Sequence, residues 1–99
     1  MILLDQTTVK GLYYYSFDKI ADQIQVNDLL TLVPEPENQH DRFAVKVLWD
    51  DQQIGHISRY KSQIITALLQ HGFRLHAIVT KVDKNLKICD FDLLLDNSD

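Results

Sequence analysis

The stretch from Phe43 to Ile57 constrains this chain more than any other. Phe43 to Trp49 and Gln52 to Ile57 both read as strands, and only Asp50-Asp51 separates them. Two such runs joined by a two-residue acidic turn must pair as an antiparallel hairpin. At 99 residues the chain has room for one core, so the hairpin has to be part of a single domain spanning 1–99, with its packed part over about 7–95.

The flanking segments extend the same architecture. Thr7 to Leu12 reads as a first strand. Ser16 offers a cap to a short helix whose Phe17, Ile20, Ala21 and Ile24 recur on one face, ending near Val26. Asn27 tolerates positive φ and turns the chain into a strand from Leu29 to Val33, which Pro34 ends. Beyond the hairpin, Ser58 caps a second helix on which Tyr60, Ile64, Ala67 and Leu68 share a face, and that face is expected to pack on the sheet. Gly72 sits at its C-terminal cap. Phe73, Leu75, Ala77 and Val79 alternate, Asp83-Lys84-Asn85 turns the chain, and Lys87, Cys89, Phe91, Leu93 and Leu95 alternate again. The order β-α-β-β-β-α-β-β predicts a mainly β fold with two short helices, a small antiparallel barrel closed or plugged by them.

Charge and composition exclude several function classes. The 14 acidic residues outnumber the 10 Lys and Arg only through Asp90, Asp92, Asp96 and Asp99 at the acidic C-terminal end. That balance argues against a broad cationic surface for duplex nucleic acid and leaves room for a compact contact. No apolar run approaches the length of a membrane span, and Met1-Ile2-Leu3-Leu4-Asp5 lacks the features of a secretory signal. With Cys89 as the single cysteine, an intracellular setting is expected. Glu35, Glu37, His40, Asp41 and His56 have no metal-site spacing, Cys89 falls on the buried alternation, and the glycines form no phosphate loop. The chain reads as a non-enzyme, with no catalytic residues, metal or cofactor.

The segment Leu32-Val33-Pro34-Glu35-Pro36-Glu37-Asn38-Gln39-His40-Asp41-Arg42-Phe43-Ala44-Val45-Lys46-Val47, followed by Ile54-Gly55-His56-Ile57-Ser58-Arg59, resembles the HIRAN domain. Gly11-Leu12 before Tyr13-Tyr14-Tyr15 and a helix ending at His71-Gly72 extend the resemblance over nearly residues 7 to 82. It implies an OB-like barrel and a module that binds single-stranded DNA at a free 3′ end, as members joined to DNA translocases do in fork remodelling and repair. Tyr14 and Tyr15 then fall at the positions for base stacking and backbone contact, and Asp41 at the carboxylate facing the terminal hydroxyl. His56 is a nearby polar contact, Arg59 a basic position for phosphate, and His40 replaces an aromatic. Tyr13 and Pro34 stand where DNA-binding relatives carry arginine, and Phe43 where a smaller polar residue is usual. Binding is thus expected to be weak or partner-assisted, with Lys10, Arg42, Lys46 and Arg59 as the cations left to compensate.

Each residue also has a plainer reading. Asp41 can brace the turn into Phe43, the tyrosine triplet can be a strand end, and His56 can be a hydrogen-bonded, half-buried histidine. As a whole, the domain can instead be an interaction module that places a DNA-processing protein without binding DNA itself. Convergence of Tyr14, Tyr15, Asp41 and His56 on one exposed groove separates the two readings.

Overall fold

A computed structural model describes residues 1–98; Asp99, the last of the four C-terminal acids, lies outside the described residues. Six strands form one antiparallel sheet: β1 (Ile2–Thr8), β2 (Leu29–Pro34), β3 (Val45–Trp49), β4 (Gln52–His56), β5 (Leu75–Asp83) and β6 (Ile88–Leu95), in the order β1-β6-β5-β2-β3-β4. Two helices, α1 (Phe17–Ile20) and α2 (Arg59–Gln70), complete a mainly β, OB-like fold. The strand ladder does not close into a barrel. Where closure would fall, the chain just beyond β1 meets the end of β4 in a single bridge: Lys10 N–H donates to His56 O and His56 N–H to Lys10 O, each at 2.8 Å.

The hairpin forms as its sequence dictates. Asp50 and Asp51 take φ of 47° and 64°, the paired left-handed conformation that matches a two-residue turn to the twist of its strands. Leu48 pairs with Gln53 but Val47 with Gly55, so Ile54 is an extra residue in β4 and is fully buried. This bulge turns the end of β4 toward Lys10. Gly55 is needed there for space, because a Cβ on it would stand 2.2 Å from Lys10 O and 2.6 Å from Val9 Cγ1.

Four elements depart from the sequence-based expectations. The first strand runs from Ile2 to Thr8 rather than from Thr7 to Leu12. Gly11, at φ 76°, ends the extended chain, and Leu12–Tyr14 form a 3-10 turn closed by Tyr14 N–H to Gly11 O. α1 stops at Ile20 and continues as hydrogen-bonded turns, Gln23 N–H donating to Ile20 O at 2.9 Å and Ile24 N–H to Ala21 O at 3.3 Å, and Ser16 makes no side-chain cap, yet Phe17, Ile20, Ala21 and Ile24 are all buried as their spacing requires. α2 packs through Ser62, Ile65 and Thr66, whereas Tyr60 and Ile64 point to solvent. Lys87 belongs to the turn before β6, with φ 55°, and its ammonium pairs with Asp18.

The expected alternation in the C-terminal hairpin is present: Ala77 and Val79 on β5 and Cys89, Phe91 and Leu93 on β6 are buried. A bulge at Thr80 shifts the phase, so Val82 rather than Lys81 turns inward. These side chains join Val9, Phe17, Ile20, Ile24, Leu30, Val45, Val47, Ile54 and Ile65 in one core.

Burial, with Asp90 alongside, pushes the Cys89 thiol up from its ordinary 9.0 to about 12. The folded protein therefore keeps this proton at pH values where the unfolded chain loses it. Because the folded value is the higher one, the contribution is complete below pH 9 and is lost as pH rises toward about 12. Urea titrations across that window should show stability falling, by up to about 1.4 kcal/mol per pH unit from this group alone. In Cys89→Ala that component of the slope should vanish; an unchanged slope would mean that the thiol ionises equally well in the fold.

Candidate nucleic-acid interface

The bridge between Lys10 and His56 fixes the surroundings of a solvent-open cleft of about 320 Å³ lined by Lys10, Gly11, Tyr14, Tyr15, His56, Ile57, Ser58, Arg59 and Tyr60. Three segments meet there. The turn after Gly11 carries Tyr14 and Tyr15, the end of β4 carries His56, and Ser58 starts α2, its Oγ accepting the Tyr60 N–H at 3.3 Å. Phe17, wholly buried one turn beyond the tyrosines, anchors their segment to the core.

Tyr14 is 86% exposed and Tyr15 37%, so two rings with different freedoms stand side by side. Tyr15 is held by its hydroxyl, 3.2 Å from His56 Nδ1, with the rings edge to face at a centroid separation of 5.5 Å. On the other side of the imidazole, Nε2 lies 2.7 Å from Glu35 Oε1. An ionised carboxylate only accepts, so Nε2 carries a proton and donates it; in the neutral imidazole Nδ1 then accepts from the Tyr15 hydroxyl. This chain leaves the Tyr15 oxygen with free acceptor capacity facing the cleft and fixes the ring. Tyr14, in contrast, presents an unrestrained aromatic face.

Asp41 performs the plain role and keeps an oxygen beyond it. Its Oδ1 accepts from Phe43 N–H at 2.9 Å, bracing the turn into β3, while Asn38 Oδ1 accepts from the backbone N–H of both His40 and Asp41. Asp41 Oδ2 faces Arg59 Nε at 3.9 Å, a loose contact, and the Arg59 side chain is 83% exposed. A contact this long, with its arginine in solvent, contributes little to stability and is easily displaced.

Four of the six residues singled out from the sequence, Tyr14, Tyr15, His56 and Arg59, thus line one cleft. Asp41 borders it through Arg59 and is not among its lining residues. His40 is exposed on the Asn38 turn and is likewise not among them. Of the compensating cations, Lys10 lines the cleft with Arg59, Arg42 covers the Phe43 ring at 4.9 Å, and Lys46 pairs across the ladder with His56. Two contributors escaped the sequence reading. Glu35 orients His56, which its place beside Pro36 does not advertise, and Tyr60 lines the cleft rather than the core.

Fold and cleft together define a small OB-like β domain with an exposed aromatic cleft at the point where its sheet is bridged. Residues 4–93 match the family model of the HIRAN domain, and the chain belongs to that family, which is known in general as one of DNA-binding modules. Among solved structures, the chain is similar to a protein from Lactobacillus plantarum, at 29% identity over 95% of this chain and 93% of that one, with a TM-score of 0.86. It also shares the fold of the HIRAN domain of human HLTF, at 19% identity over 92% of this chain and 73% of that one, with a TM-score of 0.78. No curated protein matches the sequence.

Proposed function

We propose that this domain is a non-enzymatic module that binds single-stranded DNA at a free 3′ end. The observation that supports it most is the meeting of Tyr14, Tyr15, His56 and Arg59 in one open cleft, with the Asp41 carboxylate at its border. An exposed ring such as Tyr14 stacks on a base with little regard for sequence, for about 1 to 3 kcal/mol per base. Arg59, loosely held, is free to turn to a phosphate, and Lys10 supplies a second cation. As Arg59 moves away, Asp41 Oδ2 is left to accept from a terminal hydroxyl, while its charge repels a phosphate at the same position. End preference thus comes from one charge and affinity from stacking.

Fluorescence-anisotropy titration of a short labelled strand with a free 3′ hydroxyl, against salt concentration, tests this division. Each neutralised phosphate on a single strand contributes a log-log slope of about −0.7, so two to four contacts give roughly −1.5 to −3. A slope near about −7 would demand a long basic track, which contradicts a compact cleft. Absence of strand binding by the folded domain would instead favour the alternative, a module that docks a DNA-processing protein.

A further inference from the structure

Tyr60 is 98% exposed, and its backbone explains why. α2 turns about 100° per residue, so Tyr60 lies about 160° around the helix from Ser62 and about 140° from Ile65, the residues that face the core. Ser58 caps the Tyr60 N–H and fixes this first turn. Among the described residues the Tyr60 side chain makes no hydrogen bond, so the fold itself makes no use of the ring. It nevertheless lines the cleft that holds Tyr14, Tyr15, His56 and Arg59.

The distribution of aromatics gives this exposure a direction. The chain has four tyrosines. Tyr13 and Tyr14 line one cleft, and Tyr14, Tyr15 and Tyr60 line the adjoining one, which shares Lys10 and Gly11 with it. Phe17 and Phe91, by contrast, are fully buried. The tyrosines are gathered around these two clefts, while the largest buried rings are phenylalanines. Tyr13 is occupied, with the Lys87 ammonium over its ring at 5.6 Å, and Tyr15 is tied to His56. Two rings remain with free faces, Tyr14 on the turn after Gly11 and Tyr60 on α2, and the cleft lies between the segments that carry them.

We infer that Tyr60 is a second stacking platform, so that the cleft holds two unpaired bases, one on Tyr14 and the next on Tyr60. This inference rests on the strand-binding reading above. It adds a residue from α2 to the binding surface and makes a mononucleotide a poor ligand compared with a dinucleotide.

The test uses short strands with a free 3′ hydroxyl carrying 2-aminopurine at the last or the next-to-last position, titrated with the parent, Tyr60→Ala, Tyr60→Phe and Tyr14→Ala. Stacking on a tyrosine quenches the probe. Tyr60→Ala should weaken binding roughly tenfold, the worth of one stacked base, and relieve quenching at one position, with Tyr14→Ala relieving it at the other. Tyr60→Phe keeps the ring and should retain both. Full exposure of the ring means that Tyr60→Ala folds, which circular dichroism verifies. Parent-like affinity and quenching at both positions in Tyr60→Ala would overturn the assignment of Tyr60 alone. A parent that neither binds nor quenches either probe would overturn the strand-binding reading and this inference together.

Discussion

Replacing Gly55 with alanine is expected to lower the unfolding free energy by about 3 kcal/mol and the melting temperature by about 15 °C. The added methyl would stand 2.2 Å from the Lys10 carbonyl oxygen and 2.6 Å from Val9 Cγ1, and a backbone carbonyl cannot swing aside as a side chain can. The Val9–Lys10 segment must move off β4, which breaks the two 2.8 Å hydrogen bonds of the Lys10–His56 bridge. Those bonds are worth about 1 kcal/mol each, and overpacking adds about 1 to 3 more. For a domain with about 5 to 15 kcal/mol in total this is a large fraction. The same shift separates Gly11 and its tyrosines from His56, so the cleft should open. Gly72→Ala is the control. At φ 86° with nothing within 4 Å of a new Cβ, it incurs backbone strain of about 1 to 2 kcal/mol without a steric clash. Thermal melts of the two variants check the ordering; a Gly55→Ala protein as stable as Gly72→Ala would show that the sheet is not held by the bridge.

The largest expected effects on binding come from Tyr14 and Asp41, and they differ in kind. Tyr14→Ala should weaken all single strands by about 1 to 3 kcal/mol, whatever their 3′ terminus, because only a stacking face is lost. At 86% exposure the ring carries little of the fold. Asp41→Asn keeps an oxygen that can accept from Phe43 N–H, so the turn now braced by Oδ1 at 2.9 Å survives. What changes is the charge at Oδ2, the oxygen facing Arg59. Discrimination between a 3′ hydroxyl and a 3′ phosphate should therefore shrink by about 1 to 2 kcal/mol, near the worth of one charge-assisted hydrogen bond, with the fold intact. Parallel anisotropy titrations of both variants, each with both ends, separate affinity from selection. Equal changes in both variants would mean that stacking and end reading are not divided between these residues.

The hairpin was legible because its turn residues carry their own conformation: adjacent aspartates at positive φ specify a two-residue connection whatever surrounds them. The same holds for Asn27, at φ 78°, and for the alternation through Cys89, Phe91 and Leu93. β1 was illegible over its first half because Ile2, Leu3 and Leu4 are exposed on both faces of this edge strand, so burial imposes no alternation on them. α2 misled for a different reason. Tyr60, Ile64, Ala67 and Leu68 have helical spacing, but the true inner face contains hydroxyl residues, which an apolar pattern overlooks. Those hydroxyls are satisfied within the fold, Ser62 Oγ donating to Arg59 O at 3.2 Å and Thr66 Oγ1 to Phe43 O at 3.0 Å.

In the site, what could be read was the set of residues carried by the motif, since Tyr14, Tyr15, His56 and Arg59 do meet. Their meeting depends on a bulge at Ile54 and a close approach at Gly55, both long-range consequences of packing that no local spacing encodes. Glu35 is likewise distant from His56 in sequence, and only the return of the chain from β2 through β3 to β4 brings its carboxylate within 2.7 Å. The single Lys10–His56 bridge is what makes these residues one surface.

The most direct test of the account is a pair of anisotropy titrations of the parent domain at one stated salt concentration, with strands identical except for a 3′ hydroxyl or a 3′ phosphate. The hydroxyl strand is expected to bind about tenfold more tightly, the effect of one charge-assisted hydrogen bond replaced by charge repulsion. Equal affinity for the two ends, with the protein shown to be folded, would contradict recognition of the strand terminus through Asp41.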